Sequence, residues 1–547
     1  MQSKEKIWKV APKKGKDVFE QLILNRQITN LEEFINPPSP KETLNRILKD
    51  DKTLKDETEK AKKLILSTIK KGEPIYIHGD YDVDGICATA ILWEKIYYDL
   101  NYKNCFPYIP NRFNEGYGLS KESVDGICVN LQKKTFPLII TVDCGIGSNK
   151  EVLYAKEKGF NVIICDHHQK GKRLPKASAI LWTENLCGAG ISWVLSCKLD
   201  KENVDENALD LVAIATISDI QSLTNYNRSL VKYGLTKLNE LKRQGLKTLA
   251  EMAGITENKI GIYEVGWVIA PRLNASGRLE NALDSLRLLC TKSSKLALTI
   301  AQNLNNINLE RQKLTFSMFE ESQGFYRKNN KIVIAKSTSF HEGVIGLVAG
   351  KLVTKYYLPS IVISQKDIIS KGSARSITGV NIIKLLRNFE DLFESLGGHP
   401  MAAGFSIKNE QLEDLIDKLH TFSEKNIKTE DIVPEIRIDA EIALEKVTYE
   451  LLDFVLNLSP FGLGNPEPVF LTREVEISQI KKIGKKEDHL RIVLKDINGD
   501  LKNCVAFGFG NFPIKPEDKV DIVYTLNENI WNGRRNLDLR IRDIRIL

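Results

Sequence analysis

The chain reads as an α/β protein made of two α/β lobes joined by helices and followed by a β-barrel, on three observations. From 71 to about 220, short apolar runs alternate with helical patterns, the sign of a parallel sheet covered on both faces. After a long stretch of helical spacing, the same alternation returns over 331–430. From about 435 the pattern turns to β, with five strand-like runs separated by turn residues.

Bulk properties agree with this outline. At 547 residues the chain exceeds what one core can bury, so about three domains are expected. A composition of 42% hydrophobic and 27% charged residues excludes disordered and collagen-like classes. The basic opening MQSKEKIWKVAPKKGKD has no apolar core, so no secretory signal is expected. No run approaches the length of a membrane span, and a cytoplasmic, membrane-independent monomer is the expectation. The nine cysteines are scattered, with no C-x-x-C pair, and read as reduced packing thiols. A net charge of +7 permits a polyanionic partner without specifying one.

In chain order, residues 1–70 read as a helical lead-in, with Thr29-Asn30 a plausible cap. Residues 71–220 form the first α/β domain, with strands expected over 75–77, 138–142, 161–165 and 179–182. Residues 221–330 read as a helical connector and 331–430 as the second α/β domain, with strands at KIVIA and SIVIS. Residues 435–547 supply the barrel. Its five runs fit an OB barrel, a fold that binds single strands by stacking and backbone charge, with Phe507, Phe509, Tyr524 and Trp531 as stacking or core groups.

Three of the first-domain strands end in polar clusters: HGDYDVDG after 77, Asp143 in VDCG, and Asp166-His167-His168 in CDHHQ. A fourth, Asp219 in TISDI, ends the apolar helical run from Ala208. In the first cluster, His78, Asp80, Asp82 and Asp84 crowd four ionisable groups into seven positions. Such crowding at the exit of a buried strand is costly unless something positive sits among the groups. An acidic turn capping a helix is the alternative. Ligands of open α/β sheets gather beyond the strand carboxyl ends. If these strands are neighbours, His78, Asp82, Asp84, Asp143, His167 and Asp219 converge on one crevice. Carboxylates and imidazoles without thiolates suit a pair of manganese or magnesium ions better than a structural zinc. Asp143, alone on its strand, is the candidate to bridge two ions about 3.5–4 Å apart. Cys144 and Cys165 read as buried packers. Of seven histidines, five (His78, His167, His168, His341, His399) sit in glycine- or aspartate-rich motifs, whereas His420 and His489 read as satisfied core histidines.

HGDYDVDG, VDCG, CDHHQ and SDI resemble the four ordered motifs of the DHH phosphoesterase superfamily. IPNRFNEGYGL, APRLNASGRLENA, HEGVIGLVAGKL, KGSARS, GGHPMAAGFSI and PFGLGNPEPVF narrow the resemblance to its RecJ branch of single-strand-specific exonucleases, collinearly from about residue 20 to the end. The resemblance implies two ions, manganese or magnesium, one held by His78, Asp82 and Asp143 and the other by Asp84, Asp143, His167 and Asp219. It makes His168 a non-ligand that contacts the phosphate or aids the leaving oxygen, and it puts Asp80 and Asp166 behind the ligands, orienting them. Asp143, His167 and His168 carry the catalytic role in this reading.

The second lobe (DHHA1) is implied to grip substrate. Lys371, Ser373 and Arg375 resemble a pocket for a terminal 5′ phosphate, together with Arg112. Arg272, Asn274 and Arg278 suit a phosphate-facing loop, because arginine offers a bidentate fork to phosphate oxygens. His341 and the turn Gly397-Gly398-His399 complete the substrate-facing set. The implied activity is two-metal 5′→3′ exonucleolytic hydrolysis of single-stranded DNA to 5′ mononucleotides, in recombination and repair. A single-strand-binding protein and a helicase are the implied partners. Longer relatives are expected to carry a further C-terminal domain. The alternatives are a DHH phosphodiesterase acting on short oligonucleotides or cyclic dinucleotides, and a nuclease-dead binding protein. Filled ligand positions speak against the second of these.

Overall fold

A computed structural model of the chain describes residues 6–111, 115–116, 118–129, 136–200, 204–255, 260–531 and 533–547. Five strands form the first sheet: β1 (Ile75–Gly79), β2 (Cys105–Tyr108), β3 (Leu138–Val142), β4 (Asn161–Asp166) and β5 (Ala179–Trp182). Their order is β2-β1-β3-β4-β5, and every neighbouring pair is parallel. β1 and β3 are buried at all positions, which explains why their apolar runs do not alternate. Burying Ile75, Ile77, Leu138 and Ile140 completely contributes about 1.5–3 kcal/mol each. The chain leaves β1 toward β2 on one side and then returns to β3 on the other. The crevice beyond the carboxyl ends of β1 and β3 therefore lies at the switch point where such sheets take ligands.

Helices α1 (Val83–Glu94), α2 (Gly188–Leu199) and α3 (Leu209–Ser218) are buried along most of their length, so they read as apolar all round and not amphipathic. α1 begins at Val83, because Asp82 caps it by accepting from the Gly85 amide at 3.1 Å. The connector is helical as expected. Within it APRLNASGRL is a helix, α4 (Ala270–Leu279), and not a loop. Pro271 falls in its first turn, where no helical amide is lost, and Leu273, Ala275, Ser276 and Gly277 are buried. A 29-residue helix, α5 (Ser294–Ser322), packs along it.

The second sheet comprises β6 (Val333–Ser337), β7 (Ser360–Ser364), β8 (Ile369–Arg375), β9 (Phe393–His399) and β10 (Ala402–Lys408), ordered β9-β10-β8-β7-β6. Only β6 and β7 run parallel. α6 (Ile345–Tyr356) follows β6 and covers the sheet. KGSARS is thus strand β8, and GGHPMAAG is the hairpin joining β9 to β10.

The chain divides into two compact units, one holding 47–219 and 234–434, the other 7–46, 220–233 and 435–547. This division cuts across a single lead-in of 1–70. In the second unit β11 (Phe470–Ile483), β12 (His489–Lys495), β13 (Leu501–Phe507), β14 (Lys519–Trp531) and β15 (Arg534–Ile546) close a barrel in the order β11-β12-β13-β15-β14, with β14 returning to β11. The β13–β15 pair is parallel and the others are antiparallel, as in an OB barrel. A strand Ile7–Val10 pairs in parallel with Glu435–Ile438, and Leu22 is buried in the barrel's own core. The lead-in's first half therefore folds with the barrel, because its apolar side chains fill that core. Buried Arg228 fastens the unit by donating to the Phe34 carbonyl at 2.6 Å and the Ser459 carbonyl at 2.7 Å.

Candidate metal centre

The switch point of the first sheet brings the acidic phrases together. Asp143 lies just past β3 in the left-handed region, with φ 60°, a conformation that costs a non-glycine residue about 1–2 kcal/mol. Its amide donates to the Cys165 carbonyl at 2.9 Å, tying the end of β3 to β4. Gly188 makes room for it: a Cβ there would lie 2.6 Å from the Asp143 Cβ and 2.9 Å from its Oδ1. Gly85 does the same for the first phrase, where a Cβ would come within 2.6 Å of the Asp80 backbone.

Around this point His167 Nε2 stands 3.1 Å from Asp143 Oδ1, 3.6 Å from Asp84 Oδ2 and 3.7 Å from Asp219 Oδ2. Among the described residues, three sets of ligand atoms have all members within 4.8 Å of one another: Asp84, His167 and Asp219; Asp80, Asp82 and Asp143; and Asp143, His167 and His168. Asp80, expected behind the ligands, thus stands in a set with Asp82 and Asp143. Asp84 is fixed by the start of α2, whose Gly188 and Ala189 amides donate to its two oxygens at 2.7 Å each. Asp166 organises the histidines. Its Oδ1 accepts from the His167 amide (2.7 Å) and the His168 amide (3.0 Å) and lies 2.8 Å from His168 Nδ1, while Oδ2 accepts from the Ile146 amide at 2.8 Å.

The electrostatics suit a cation. Burial, and then the neighbouring Asp84, Asp82, Asp80 and Asp166, push the Asp143 carboxyl well above its ordinary range. Burial and Asp84 raise Asp82 in the same direction. At Asp166 burial is outweighed by the hydrogen bond and charge of His168, and its pKa falls. His168 responds in kind: burial opposes its charge, but Asp166 raises it to about 9. His78 is fully buried, and desolvation lowers it to about 4, so it is neutral. Its ring stacks on Tyr108 at 5.3 Å, Cys144 Sγ lies 3.9 Å from Nδ1, and Nε2 has no hydrogen-bond partner among the described residues. A neutral imidazole with an orphaned buried nitrogen, beside carboxylates that burial resists charging, fits a hard divalent cation.

The substrate candidates fall in several places. Asn274 Oδ1 accepts from the Val83 amide at 3.0 Å, and a Cβ on Gly277 would meet the Tyr81 carbonyl at 2.5 Å, so α4 lies over the 80–84 loop. Arg278 Nη1 reaches the Gly343 carbonyl at 3.4 Å, and the Gly343 amide donates to His341 Nδ1 at 3.1 Å. Ser373 and Arg375 sit together at α6, where a Cβ on Gly346 would lie 3.0 Å from Ser373 Oγ and Arg375 Nη2. Lys371 instead pairs with Glu342 at 2.8 Å. Arg272 is near the start of α4, bonded to Asn305 and the Val268 carbonyl. Gly397, Gly398 and His399 are exposed on the β9–β10 hairpin. Arg112 lies outside the described residues. On the barrel, Tyr524 is core and bonds Thr472, whereas Phe507 is exposed beside His489 and Arg540. Phe509 packs partly buried against the barrel core, and the Trp531 side chain lies outside what is described. The Gly188-Ala189 anchor went unread in the sequence; its signal was the helix start after Cys187.

Known proteins match this arrangement segment by segment. The model of the DHH family, N-terminal domain, matches 74–216, that of the DHHA1 domain 329–425, and that of the RecJ OB domain 438–543. The single-stranded-DNA-specific exonuclease RecJ of Thermus thermophilus is 30% identical over 88% of this chain and 70% of its own length. The chain belongs to the RecJ family. Its counterpart from Bacillus subtilis, also a single-stranded-DNA-specific exonuclease RecJ, is 36% identical over 88% of this chain, and the match spans 62% of that relative's length. The crystal structure of Thermus thermophilus RecJ in complex with Mn2+ superposes with a TM-score of 0.84, at 27% identity, over 98% of this chain and 79% of that one. The expected resemblance and the expected fold, two α/β lobes and an OB barrel, both hold for this chain.

Proposed function

We propose that this chain is a metal-dependent 5′→3′ exonuclease that hydrolyses phosphodiester bonds of single-stranded DNA. The observation that carries the reading is the pair of donor sets Asp84-His167-Asp219 and Asp80-Asp82-Asp143, joined by the 3.1 Å approach of His167 Nε2 to Asp143 Oδ1. His78, Asp82 and Asp143, with Asp80 beside them, would hold one manganese or magnesium ion; Asp84, Asp143, His167 and Asp219 would hold the other. When bound, the ions lower the pKa of water and stabilise charge on the phosphate. The chain's own residues do the rest. Asp166 fixes both imidazoles, so that His168 faces the scissile phosphate without being a ligand. Asp84, anchored by two amides, keeps its carboxylate from swinging away when the site reloads. Ser373 and Arg375 receive the 5′ phosphate, which sets polarity, and the barrel holds the strand by stacking and charge. Membership of a family whose named relatives act on single-stranded DNA supports the substrate class.

The test uses oligonucleotides labelled at the 5′ or the 3′ end, digested with manganese present. Stepwise release of 5′-labelled mononucleotide from long single strands, and none from duplex, is expected. Turnover confined to dinucleotides or cyclic dinucleotides would replace this reading with the short-substrate phosphodiesterase. No turnover of any of them would leave only a binding protein.

A further inference from the structure

α4 carries a second cationic group away from the metal crevice. Arg272 Nε donates to Asn305 Oδ1 at 3.2 Å and Nη1 to the Val268 carbonyl at 2.8 Å. On α5, Arg311 Nε and Nη2 both donate to Asn308 Oδ1, at 3.2 and 2.9 Å. The two guanidiniums are therefore held by carboxamides one helical turn apart. Burial lowers the pKa of both, the charge of Arg272 lowers that of Arg311 further, and among the described residues no carboxylate offsets either. Asn308 is itself completely buried, and its Nδ2 has no hydrogen-bond partner among the described residues. Such an orphaned donor calls for a ligand or ordered water. Two half-buried like charges held, among the described residues, by neutral acceptors, one of which keeps an unmet donor, form an anion site.

We propose that Arg272, Asn308 and Arg311 grip a backbone phosphate of single-stranded DNA on the 3′ side of the scissile bond. This rests on the exonuclease reading above. The side is assigned by α4, which acts as a ruler. Its C-terminal Arg278 reaches Gly343 in the lobe that carries Ser373 and Arg375, and its middle, Asn274 and Gly277, lies over the 80–84 loop. Arg272 is near the opposite end, about 9 Å from Arg278 along the axis. A strand entering with its 5′ phosphate at Arg375 and crossing the carboxylates next meets Arg272.

The test compares wild type with Arg311→Gln, in manganese, on a 5′-phosphorylated dinucleotide and on a single strand of roughly a dozen nucleotides. The dinucleotide has no phosphate 3′ of the scissile one. Arg311→Gln raises KM for the longer strand about tenfold, with kcat little changed, and leaves the dinucleotide as in wild type. The slope of log affinity against log salt falls by about 0.7, one phosphate contact. Arg311→Lys restores part of the loss, since it keeps the charge without the fork. Equal losses on both substrates would overturn the assignment, as would an unchanged KM. Should Arg311→Gln fail to fold, methylphosphonates placed singly along the longer strand test the wild type directly. One position 3′ of the cleaved bond must raise KM, and indifference at every such position overturns the site. Wild type that cleaves neither substrate removes the exonuclease reading and this inference with it.

Discussion

The two helices behind the metal crevice carry charge at both ends, and the two ends solve the same problem differently. Asp84 starts α1 and Asp219 follows α3, and both face His167. At the far ends, about 15 Å away along the axis, Glu94 closes α1 and Asp210 opens α3. There Arg243 joins them, with Nη1 at 2.8 and 2.7 Å from the Glu94 oxygens and Nε 2.8 Å from Asp210 Oδ2. Burial works against the Arg243 charge, but Asp210 and Glu94 outweigh it and raise its pKa. Burial still raises the pKa of Glu94 and Asp210, as it does at Asp143, but here Arg243 works against it, so the rear cluster contains its own cation. In the front cluster, carboxylates crowd around Asp143 so that burial and mutual repulsion raise its pKa. One end is a strut; the other is a site that a divalent cation completes. Acidic content alone does not separate them, whereas the presence of a resident guanidinium does.

The largest effect should come from breaking the front end. Asp143→Ala removes the carboxylate shared by two of the three donor sets. Cleavage of single-stranded DNA should fall by on the order of a thousandfold or more, the several kcal/mol of transition-state stabilisation that bound metal supplies. Strand affinity measured by fluorescence anisotropy should change little, because the barrel and the arginines remain. Retained turnover would show that Asp143 is not a shared ligand. Breaking the rear end should do the reverse. Arg243→Met leaves Glu94 and Asp210 buried without their cation and should cost about 3–5 kcal/mol in urea unfolding. Per folded molecule kcat should stay within a few-fold of wild type at low temperature. A collapse of kcat with unchanged stability would mean that the rear cluster tunes the site.

How much of this was legible follows from what each signal depends on. The α/β lobes and the barrel show in hydrophobic period, because burial on one face or two dictates it locally. The convergence of Asp143 and His167 was legible because the strand-end rule converts sequence order into spatial neighbourhood, whereas Asp219, at the end of a helix, was legible only through the motif it sits in. The nearness of Asp80 to Asp82 and Asp143 was not. Whether the side chain of the first residue past a strand turns inward depends on the backbone between 79 and 85, where a Cβ at position 85 would come within 2.6 Å of the Asp80 backbone. APRLNASGR looked like a loop because Pro and Gly dominate local propensity. It is a helix because Leu273 and Ala275 are buried, tertiary packing overriding propensity. The passage of 7–46 to the barrel and the pairing of Arg272 with Arg311 across helices are long-range facts. No local pattern encodes them.

The smallest expected effect sharpens the contrast without breaking the fold. Because burial and its neighbours raise the folded-state pKa of Asp143, its contribution to stability is fully present below the ordinary aspartate range, near pH 4, and is lost as pH rises through the raised value. Asn at this position has no proton to lose. In chelator, Asp143→Asn should therefore melt with wild type at acid pH and gain on it as pH rises, by about 1–3 kcal/mol near neutrality. Carboxylates remote from Asp143 titrate alike in both proteins and cancel in the difference, while Asp84, Asp82 and Asp80 lose a like-charged neighbour in the variant, which adds to its gain in the same direction. Manganese should then narrow the gap by stabilising wild type more than the variant, since the charged carboxylate that burial penalises is the form that binds the ion. The same pair of melts on Arg243→Lys serves as the control: its deficit should be independent of manganese, because the rear cluster has its cation already. If chelated Asp143→Asn were instead less stable than wild type at neutral pH, Asp143 would have to be held charged by protein groups alone, and the front cluster would be a strut like the rear one.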